Sequence, residues 1–200
     1  MNNLRKLFPE EMGELIEISR LCYERNLVSA AGGNVSIRAG EGLLITASGV
    51  SLRDITEDDI IYNNISGEIL DCPEGLKPSK ETPFHLNVYR SRSEINSVIH
   101  VHPDYATIWS LEGKELPLYT ASANMKLKHV PLIGPGLPGS RELADKVYRA
   151  VAEEYPKDFA FIMAEHGILV LGKRLRDTFD TAELLESSAK IAVYRRLMED

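Results

Sequence analysis

The sequence predicts an α/β fold: a single-domain, layered α/β/α sandwich around a mainly antiparallel central sheet. Its 200 residues, 44% hydrophobic and 26% charged, are typical of one globular domain with a substantial core. Short strand-like segments recur along the chain, and turn sequences typical of hairpins join most consecutive pairs. Helical segments precede, separate and follow these strands. No linker rich in Pro, Gly or Ser divides the chain, so residues 1–200 are expected to form one domain.

The first half of the chain is predicted to contain two helices and two hairpins. Apolar residues recur at helical spacing over 10–25, and glycines join strands 35–38 and 43–46. After a turn or cap at 56–59, an Asn-Asn-Ile-Ser-Gly turn joins strands 60–62 and 68–70. Thr82 as N-cap and Pro83 at the first helical position then predict a helix that extends to about Ser91.

The second half is predicted to alternate strands and helices. A strand over 96–102 ends at Pro103, and Ser140 is placed to cap a helix that extends to about Tyr155. The remaining elements are a short helix at 105–111, a brief strand at 130–133, a Gly/Pro-rich loop at 134–139, buried strands at 159–163 and 167–171, and a final helix over 178–198.

Charge and hydropathy exclude several classes of protein. The net charge is −7, and the densest basic group is only Lys173, Arg174 and Arg176, which argues against a nucleic-acid partner. The longest apolar run, at 159–164, is far shorter than the roughly 20 residues that a membrane span needs. Cys22 and Cys72 lie far apart and are expected to be free thiols. We therefore expect a cytoplasmic protein with no membrane partner.

The strongest chemical motif is His100-Val101-His102 at the end of a strand. Residues i and i+2 of a strand project to the same face, so the two imidazoles point together while Ile99 and Val101 pack on the other side. Imidazole nitrogens are preferred ligands of zinc. The sequence therefore predicts a metal site here, the alternative being two exposed or hydrogen-bonded histidines.

A third ligand could come from one of three further histidines. His166 interrupts two strongly apolar strands, where a polar group is costly unless it is bonded, and metal coordination would satisfy it. A core histidine bonded to a backbone carbonyl is the alternative. His85 lies within a predicted helix and is interpreted as a structural or exposed helix residue, and His129 is given no role.

Three further segments are suited to binding an anion. Gly32-Gly33-Asn34 and Ser48-Gly49 can present backbone N–H groups, although ordinary turns have the same composition. Ser79-Lys80-Glu81 places two donors at the start of a helix, whose N-terminus favours anions. Glu81 could instead be only a favourable acidic residue in the first turn.

The order of these motifs resembles the class II aldolase/adducin family. Gly-Asn, Ser-Gly, Pro-Ser-x-Glu, His-x-His and His-Gly occur in the family's order over nearly the whole chain. The resemblance implies that His100, His102 and His166 bind Zn²⁺ or another divalent metal such as Mn²⁺. It implies that Glu81 ligates the resting metal and later shuttles a proton. The implied substrate-phosphate pocket consists of Gly33, Asn34, Ser48, Gly49, Ser79 and Lys80.

The chain departs from the sugar-phosphate aldolases of this family at two places. Lys80 replaces a serine hydroxyl and could bind the phosphate or face a substrate carboxylate, as in the similar 3-oxo-tetronate 4-phosphate decarboxylases. In the family's sugar-phosphate aldolases a tyrosine that follows the His-x-His strand serves as a proton donor. No tyrosine of this sequence lies at the aligned position. Tyr119 lies near the matching position, and Tyr105 and Tyr194 are the other candidates.

The resemblance implies a metal-dependent lyase that cleaves a C–C bond of a phosphorylated sugar. The expected reaction is a retro-aldol cleavage through a zinc-bound enediolate, which gives dihydroxyacetone phosphate and an aldehyde. A 3-oxo-tetronate 4-phosphate decarboxylase is the close alternative. A sugar-phosphate 4-epimerase and a non-catalytic adducin-type scaffold are the third and fourth functions considered. The expected partner is a phosphorylated small molecule, and the expected assembly is a homotetramer with its sites at subunit interfaces.

Overall fold

A computed structural model describes residues 3–199, and its centre is one eight-stranded sheet. The strands are β1 (Asn34–Ala39), β2 (Gly42–Thr46), β3 (Ile60–Asn64), β4 (Ile69–Asp71), β5 (Ser97–Val101), β6 (Leu132–Ile133), β7 (Ala160–Met163) and β8 (Gly167–Gly172). Their order is β4-β3-β2-β1-β5-β8-β7-β6. All neighbours pair antiparallel except β6 and β7, which confirms the predicted, mainly antiparallel sheet.

Helices cover both faces of the sheet. They are α1 (Pro9–Glu24), α2 (Thr82–Ser91), α3 (Asp104–Ser110), α4 (Ala121–Lys126), α5 (Arg141–Arg149) and α6 (Leu175–Glu199). One apolar core lies between the sheet and helices α2 and α5, and the other lies under α1, α3, α4 and α6. The predicted three-layer α/β/α arrangement is therefore confirmed. Across the described residues, none of the helices combines the length and the apolar character that a bilayer crossing requires.

Strand β5 carries side chains into both layers. Ile99 and Val101 pack in the core beneath α1 and α6, as predicted from the alternation of the strand. His100 points to the other face, where its ring meets the ring of Phe84 on α2 edge-on, with centroids 5.3 Å apart. The strand thereby directs one imidazole towards the start of α2.

Helix α2 begins differently from the prediction. Glu81, not Thr82, is the N-cap, because its carbonyl accepts the first helical hydrogen bonds from Phe84 and His85. A turn already closes before this point, since the N–H of Thr82 donates to the carbonyl of Ser79. Thr82 therefore lies inside the first turn, and the prediction that it caps the helix was wrong. This start places the Glu81 side chain at the end of the sheet.

Other elements agree with the prediction except at their ends. Ser140 caps α5 as predicted, its hydroxyl accepting from the N–H of Leu143, but the helix widens into a π-helical turn at Ala150–Glu154. The sequence did not reveal α4, which is only six residues long and is capped by the Thr120 side chain. Helix α6 starts at Leu175, a few residues earlier than predicted.

Candidate active site

Three imidazoles and one carboxylate meet at one end of the sheet. His100 lies in β5, His102 directly follows it, and His166 lies in the turn between β7 and β8. Because β5 pairs antiparallel with β8, with Val101 opposite Ile168, the turn that carries His166 lies beside the end of β5. Glu81 reaches the same point from the start of α2. The fold thus brings together all four residues that the sequence predicts as metal ligands.

The donor atoms of this group converge. Nε2 of His102 lies 2.9 Å from Nε2 of His100, and the ligand atoms of His100, His102 and His166 lie within 4.8 Å of one another. Glu81 places Oε2 at 3.2 Å from Nε2 of His100 and Oε1 at 3.3 Å from Nε2 of His166. A tetrahedral zinc ion with bonds of about 2.0–2.1 Å separates its ligands by roughly 3.3 Å. The spacing of the four side chains is close to that requirement.

Hydrogen bonds and close packing hold the imidazoles in place. His100 is fully buried, and its Nδ1 lies 2.9 Å from the carbonyl oxygen of Ile168, to which it donates. Nε2 is then left with a free lone pair directed at the other donors. Gly167 has no side chain because a Cβ there would collide with the Val101 carbonyl and approach Cδ2 of His102 to 2.8 Å.

The donor set fits a divalent metal. Oε1 of Glu81 is buried, yet it has no hydrogen-bond partner among residues 3–199. Buried polar atoms are rarely left unpaired, and a divalent cation bound by this oxygen and the neighbouring imidazole nitrogens would satisfy it. Three imidazoles and one carboxylate are ligands suited to zinc, and they could also bind a similar divalent ion.

Burial favours the neutral imidazoles of His102 and His166, the form that a metal ligand must take. Burial, aided by the neighbouring His100 and His166, lowers the pKa of His102 to about 3. Burial and His100 lower the pKa of His166 to about 4. Burial by itself would raise the pKa of Glu81. The neighbouring His100 and the hydrogen bond from Asn34 outweigh burial and hold the pKa of Glu81 below its usual range.

A cavity of about 330 Å³ adjoins these ligands. It is lined by all six residues of the predicted phosphate pocket together with Glu81, His102 and His166. Ala47 bridges to Pro78, and the N–H of Ser48 donates to the carbonyl of Lys77, so the end of β2 lies against the segment before α2. The structure thus places the predicted phosphate-binding residues around one space with three of the four predicted metal ligands, and the fourth, His100, lies directly against Glu81 and His102. Their roles stay predictions.

Lys80 and Asn34 both line this cavity, but they differ in exposure and in the partners of their side chains. Lys80 is exposed, and its ammonium has no ion pair among the described residues, so the charge is free to meet an anion. The Asn34 side chain is buried instead and is already engaged: Nδ2 donates to Oε2 of Glu81 at 2.7 Å, and Oδ1 lies 2.5 Å from Nε2 of His85. The side chain of Asn34 therefore contacts the carboxylate of Glu81, which sequence reasoning did not foresee.

His85 is the centre of a buried polar chain beneath the site. Its Nδ1 lies 2.7 Å from the hydroxyl of Ser36, which lies 2.8 Å from the hydroxyl of Tyr89. The pattern is visible in the sequence once it is sought. Residues 81, 85 and 89 are spaced four apart on one helix face, and residues 34 and 36 share one face of a strand.

The remaining candidates lie away from the cavity. None of Tyr105, Tyr119 and Tyr194 is among the described residues that line it, and the hydroxyls of Tyr105 and Tyr194 face each other at 3.3 Å. His129 contacts Asp158 and Glu115 instead, at 2.6 and 3.0 Å. Within residues 3–199, the chain therefore supplies no tyrosine to its own cavity, and His129 lies outside the ligand group.

Comparison with known proteins agrees with this geometry. Residues 13–193 match the family model of the class II aldolase and adducin N-terminal domain. An L-fuculose phosphate aldolase of Methanococcus maripaludis is 36% identical over 181 residues, which cover 90% of this chain and 95% of that protein. A 3-oxo-tetronate 4-phosphate decarboxylase of Pectobacterium atrosepticum is 32% identical, with 89% and 81% covered. The crystal structure of L-fuculose-1-phosphate aldolase from Thermus thermophilus superposes with a TM-score of 0.82 at 29% identity, covering 94% of this chain and 95% of that one.

Proposed function

Because this chain belongs to the class II aldolase and adducin family, we propose that it is a metal-dependent lyase that cleaves a C–C bond of a phosphorylated sugar. The observation that carries the proposal is the shared space around the four ligands. His102, His166 and Glu81 line one cavity together with glycines, serines and Lys80, and the fully buried His100 lies against His102 and Glu81. A site that binds a metal beside an anion pocket suits a phosphorylated substrate with a carbonyl group.

His100, His102, His166 and Glu81 would hold the metal, with zinc as the proposed ion and Mn²⁺ as an alternative. Once bound, such an ion supplies Lewis-acid stabilisation of the negative charge that develops on the substrate's carbonyl and hydroxyl oxygens. The buried hydrogen bond between His100 and Ile168 fixes one ligand ring in the orientation that this needs. The intact set of four ligands argues against a non-catalytic scaffold.

Glu81 is the proposed proton shuttle. In the retro-aldol direction Glu81 takes up the proton of the hydroxyl group on the leaving carbon, the C–C bond breaks, an aldehyde leaves, and the electron pair of the broken bond stays on the carbon next to the carbonyl. Glu81 then delivers a proton to that carbon, and the product is dihydroxyacetone phosphate. Its carboxylate lies at the cavity wall and is 7% exposed, so it can reach the substrate while water is largely excluded.

The phosphate pocket is proposed to orient the substrate. Backbone N–H groups at Gly33 and Gly49, hydroxyls of Ser48 and Ser79, and the ammonium of Lys80 surround one part of the cavity. Both glycines have positive φ, +72° and +76°, a backbone conformation that favours glycine, and successive backbone N–H groups in such turns can form anion-binding concavities. Binding energy from the remote phosphate then positions the reacting carbon beside Glu81.

Solvent exchange of dihydroxyacetone phosphate tests this chemistry without knowledge of the aldehyde. Metal-replete protein is incubated with this compound in D₂O, with and without a chelator, and deuterium incorporation is followed by proton NMR. We expect chelator-sensitive incorporation at the hydroxymethyl carbon next to the carbonyl. If incorporation is no faster than in the chelated control, the lyase proposal is wrong.

A decarboxylase is the second candidate, and Lys80 favours it. Its ammonium replaces a neutral hydroxyl at the cavity, where it could pair with a substrate carboxylate as well as with a phosphate. The similarity to 3-oxo-tetronate 4-phosphate decarboxylases supports this alternative. Loss of carbon dioxide leaves the same electron pair on the same carbon, so Glu81 and the metal ligands would keep their roles.

We further propose that the active assembly is a cytoplasmic homotetramer with its sites at subunit interfaces. The cavity lacks a tyrosine from its own chain among the described residues, and Tyr119 is 43% exposed on the surface. A neighbouring copy could bring such a hydroxyl to the cavity as the proton donor. Light scattering of the purified protein tests the assembly: a mass of four chains is expected, and a monomer that retains full activity would contradict the proposal.

A further inference from the structure

We propose that His85, Ser36 and Tyr89 are positioning residues for Glu81, acting through the amide of Asn34. The five side chains form one continuous hydrogen-bonded chain from the cavity wall into the layer between the sheet and α2. The proposal rests on the role of Glu81 in the proposed function and extends it to groups that touch neither substrate nor metal.

The ionised carboxylate of Glu81, at one end of this series of hydrogen bonds, determines which group donates and which accepts in every one of them. An ionised carboxylate can only accept, so Asn34 must present its NH₂ group to Glu81. Its carbonyl oxygen then faces His85 and must receive a proton, so His85 carries its hydrogen on Nε2. Nδ1 of His85 is consequently an acceptor for the hydroxyl of Ser36, and Ser36 in turn accepts from Tyr89.

Burial makes the loss of any one of these hydrogen bonds costly. Asn34 is 4% exposed, Ser36 and His85 are fully buried, and Tyr89 is 2% exposed, so water cannot replace a lost partner. If His85 changed tautomer, Asn34 would have to rotate its amide or leave its buried carbonyl oxygen facing the lone pair of His85 Nε2. A rotated amide would direct its oxygen at the Glu81 carboxylate, which repels it. The chain therefore selects one amide orientation, and that orientation holds the carboxylate against the three imidazoles.

The fold assembles this chain from two rigid elements. One face of α2 carries three of the side chains at four-residue spacing: Glu81 at the N-cap, then His85 and Tyr89. Strand β1 carries the other two, Asn34 and Ser36, on one face. These five polar side chains occupy places between the helix and the sheet that apolar side chains would otherwise fill. Burying polar groups there lowers stability unless they are hydrogen-bonded. Each of the five side chains makes at least one hydrogen bond within this series, which is the arrangement expected of an orienting network.

The first test measures the tautomer and needs no activity. Long-range proton–nitrogen NMR of wild-type protein with ¹⁵N-labelled histidine, assigned by comparison with His85→Gln, reports which ring nitrogen of His85 carries hydrogen. We expect neutral His85 with its hydrogen on Nε2. Hydrogen on Nδ1 would overturn the proposal, even if the protein proves to be a lyase. This measurement stays decisive if a variant fails to fold.

The second test uses a matched pair of buried strand serines. Ser36→Ala removes the donor to His85, whereas Ser97→Ala removes a buried hydroxyl of β5 that bonds Thr178 and the carbonyl of Gly172, away from the site. We expect Ser36→Ala to slow deuterium exchange of dihydroxyacetone phosphate by about tenfold at unchanged metal content, the size of effect typical of lost outer hydrogen bonds. Ser97→Ala should leave exchange unchanged, and Ser36→Thr, which keeps the hydroxyl, should restore it.

The outcomes separate the two proposals. Equal slowing in both alanine variants, or an unchanged rate in Ser36→Ala, would overturn the positioning role. Loss of metal in Ser36→Ala together with slower exchange would also contradict it, since the effect would then lie in ligand binding. Absence of exchange in wild-type protein would instead refute the proposed lyase, while the tautomer of His85 would still be tested by NMR.

Discussion

Nδ1 of His100 donates a 2.9 Å hydrogen bond to the backbone carbonyl of Ile168, across the antiparallel pair β5 and β8. One bond between neighbouring strands thus fixes the ring angle and the tautomer of a fully buried imidazole. Its other nitrogen faces His102 at 2.9 Å and Glu81 at 3.2 Å. The rigidity of the sheet is thereby transmitted to the proposed metal ligands.

We predict that His100→Ala lowers bound metal and abolishes chelator-sensitive activity, because it removes the most rigidly held ligand. Metal content by elemental analysis and exchange of dihydroxyacetone phosphate check this together. His129→Ala is the matched control, since His129 lies outside the ligand group and contacts Asp158 and Glu115. Full turnover at normal metal content in His100→Ala would refute the metal assignment.

Glu81→Gln should retain metal but lose proton transfer at the substrate carbon. The amide preserves the shape of the side chain and one ligand oxygen, but it cannot carry the transferred proton. Deuterium incorporation into dihydroxyacetone phosphate is expected to fall by at least about 100-fold, within the range typical of general acid–base groups. Incorporation at the wild-type rate would show that another group moves the proton.

Lys80→Ser tests which anion the lysine meets. If its ammonium faces a substrate carboxylate, the variant should lose far more kcat/KM on 3-oxo-tetronate 4-phosphates than on simple ketose phosphates. If it contributes to the phosphate pocket, both substrate classes should suffer alike. Lys77→Ser is a suitable control, because Lys77 is also exposed and lies just outside the cavity lining.

Much of the fold could be predicted because strand alternation and hairpin turns are local signals. The helix α4 was missed because its six residues carry too little apolar periodicity, and the cap of α2 was misplaced because the turn beginning at Ser79 closes before Thr82. The parallel pairing of β6 with β7 is a long-range contact that no local pattern specifies.

The proposed metal ligands could be predicted from the sequence, but the buried hydrogen bonds that support Glu81 could not. His100 and His102 can be recognised by alternation in one strand, and His166 by its interruption of an apolar run. His85 was interpreted as a structural or exposed residue because it lies in the middle of a predicted helix. Its contact with Asn34 depends on how α2 packs on β1, which becomes visible only in three dimensions.

Gly167→Ala should destabilise the protein by about 1–3 kcal/mol and weaken metal binding, because the added methyl group overpacks the end of β5. A Cβ at this position would collide with the Val101 carbonyl and press on the His102 ring. Gly13→Ala in α1 is the control, since nothing lies within 4 Å of its Cβ and alanine favours a helix by up to about 1 kcal/mol. Denaturant unfolding measures both variants, and equal stabilities would contradict the packing argument.

His129 should make stability depend on pH. Burial would lower its pKa, but the hydrogen bonds that the protonated imidazole donates to Asp158 and Glu115 outweigh burial and raise the pKa above the ordinary value. The folded protein therefore holds the proton more tightly, so the stabilisation is complete below the unfolded pKa near 6.5 and is lost as pH rises through the folded pKa. Because the side chain is 40% exposed, the effect should be below about 1 kcal/mol. His129→Gln should thus cost stability at pH 6 and nothing at pH 9, and an equal cost at both would contradict this.

The central claim is tested most directly by phosphorus NMR of metal-replete protein with a mixed panel of ketose 1-phosphates and 3-oxo-tetronate 4-phosphates, with and without a chelator. The signal to follow is the substrate that disappears, because both reactions give dihydroxyacetone phosphate. We predict chelator-sensitive loss of a ketose phosphate, whereas loss of an oxo acid phosphate would favour the decarboxylase. If no substrate signal falls, or if the loss is unchanged by the chelator, a metal-dependent lyase of phosphorylated sugars is contradicted.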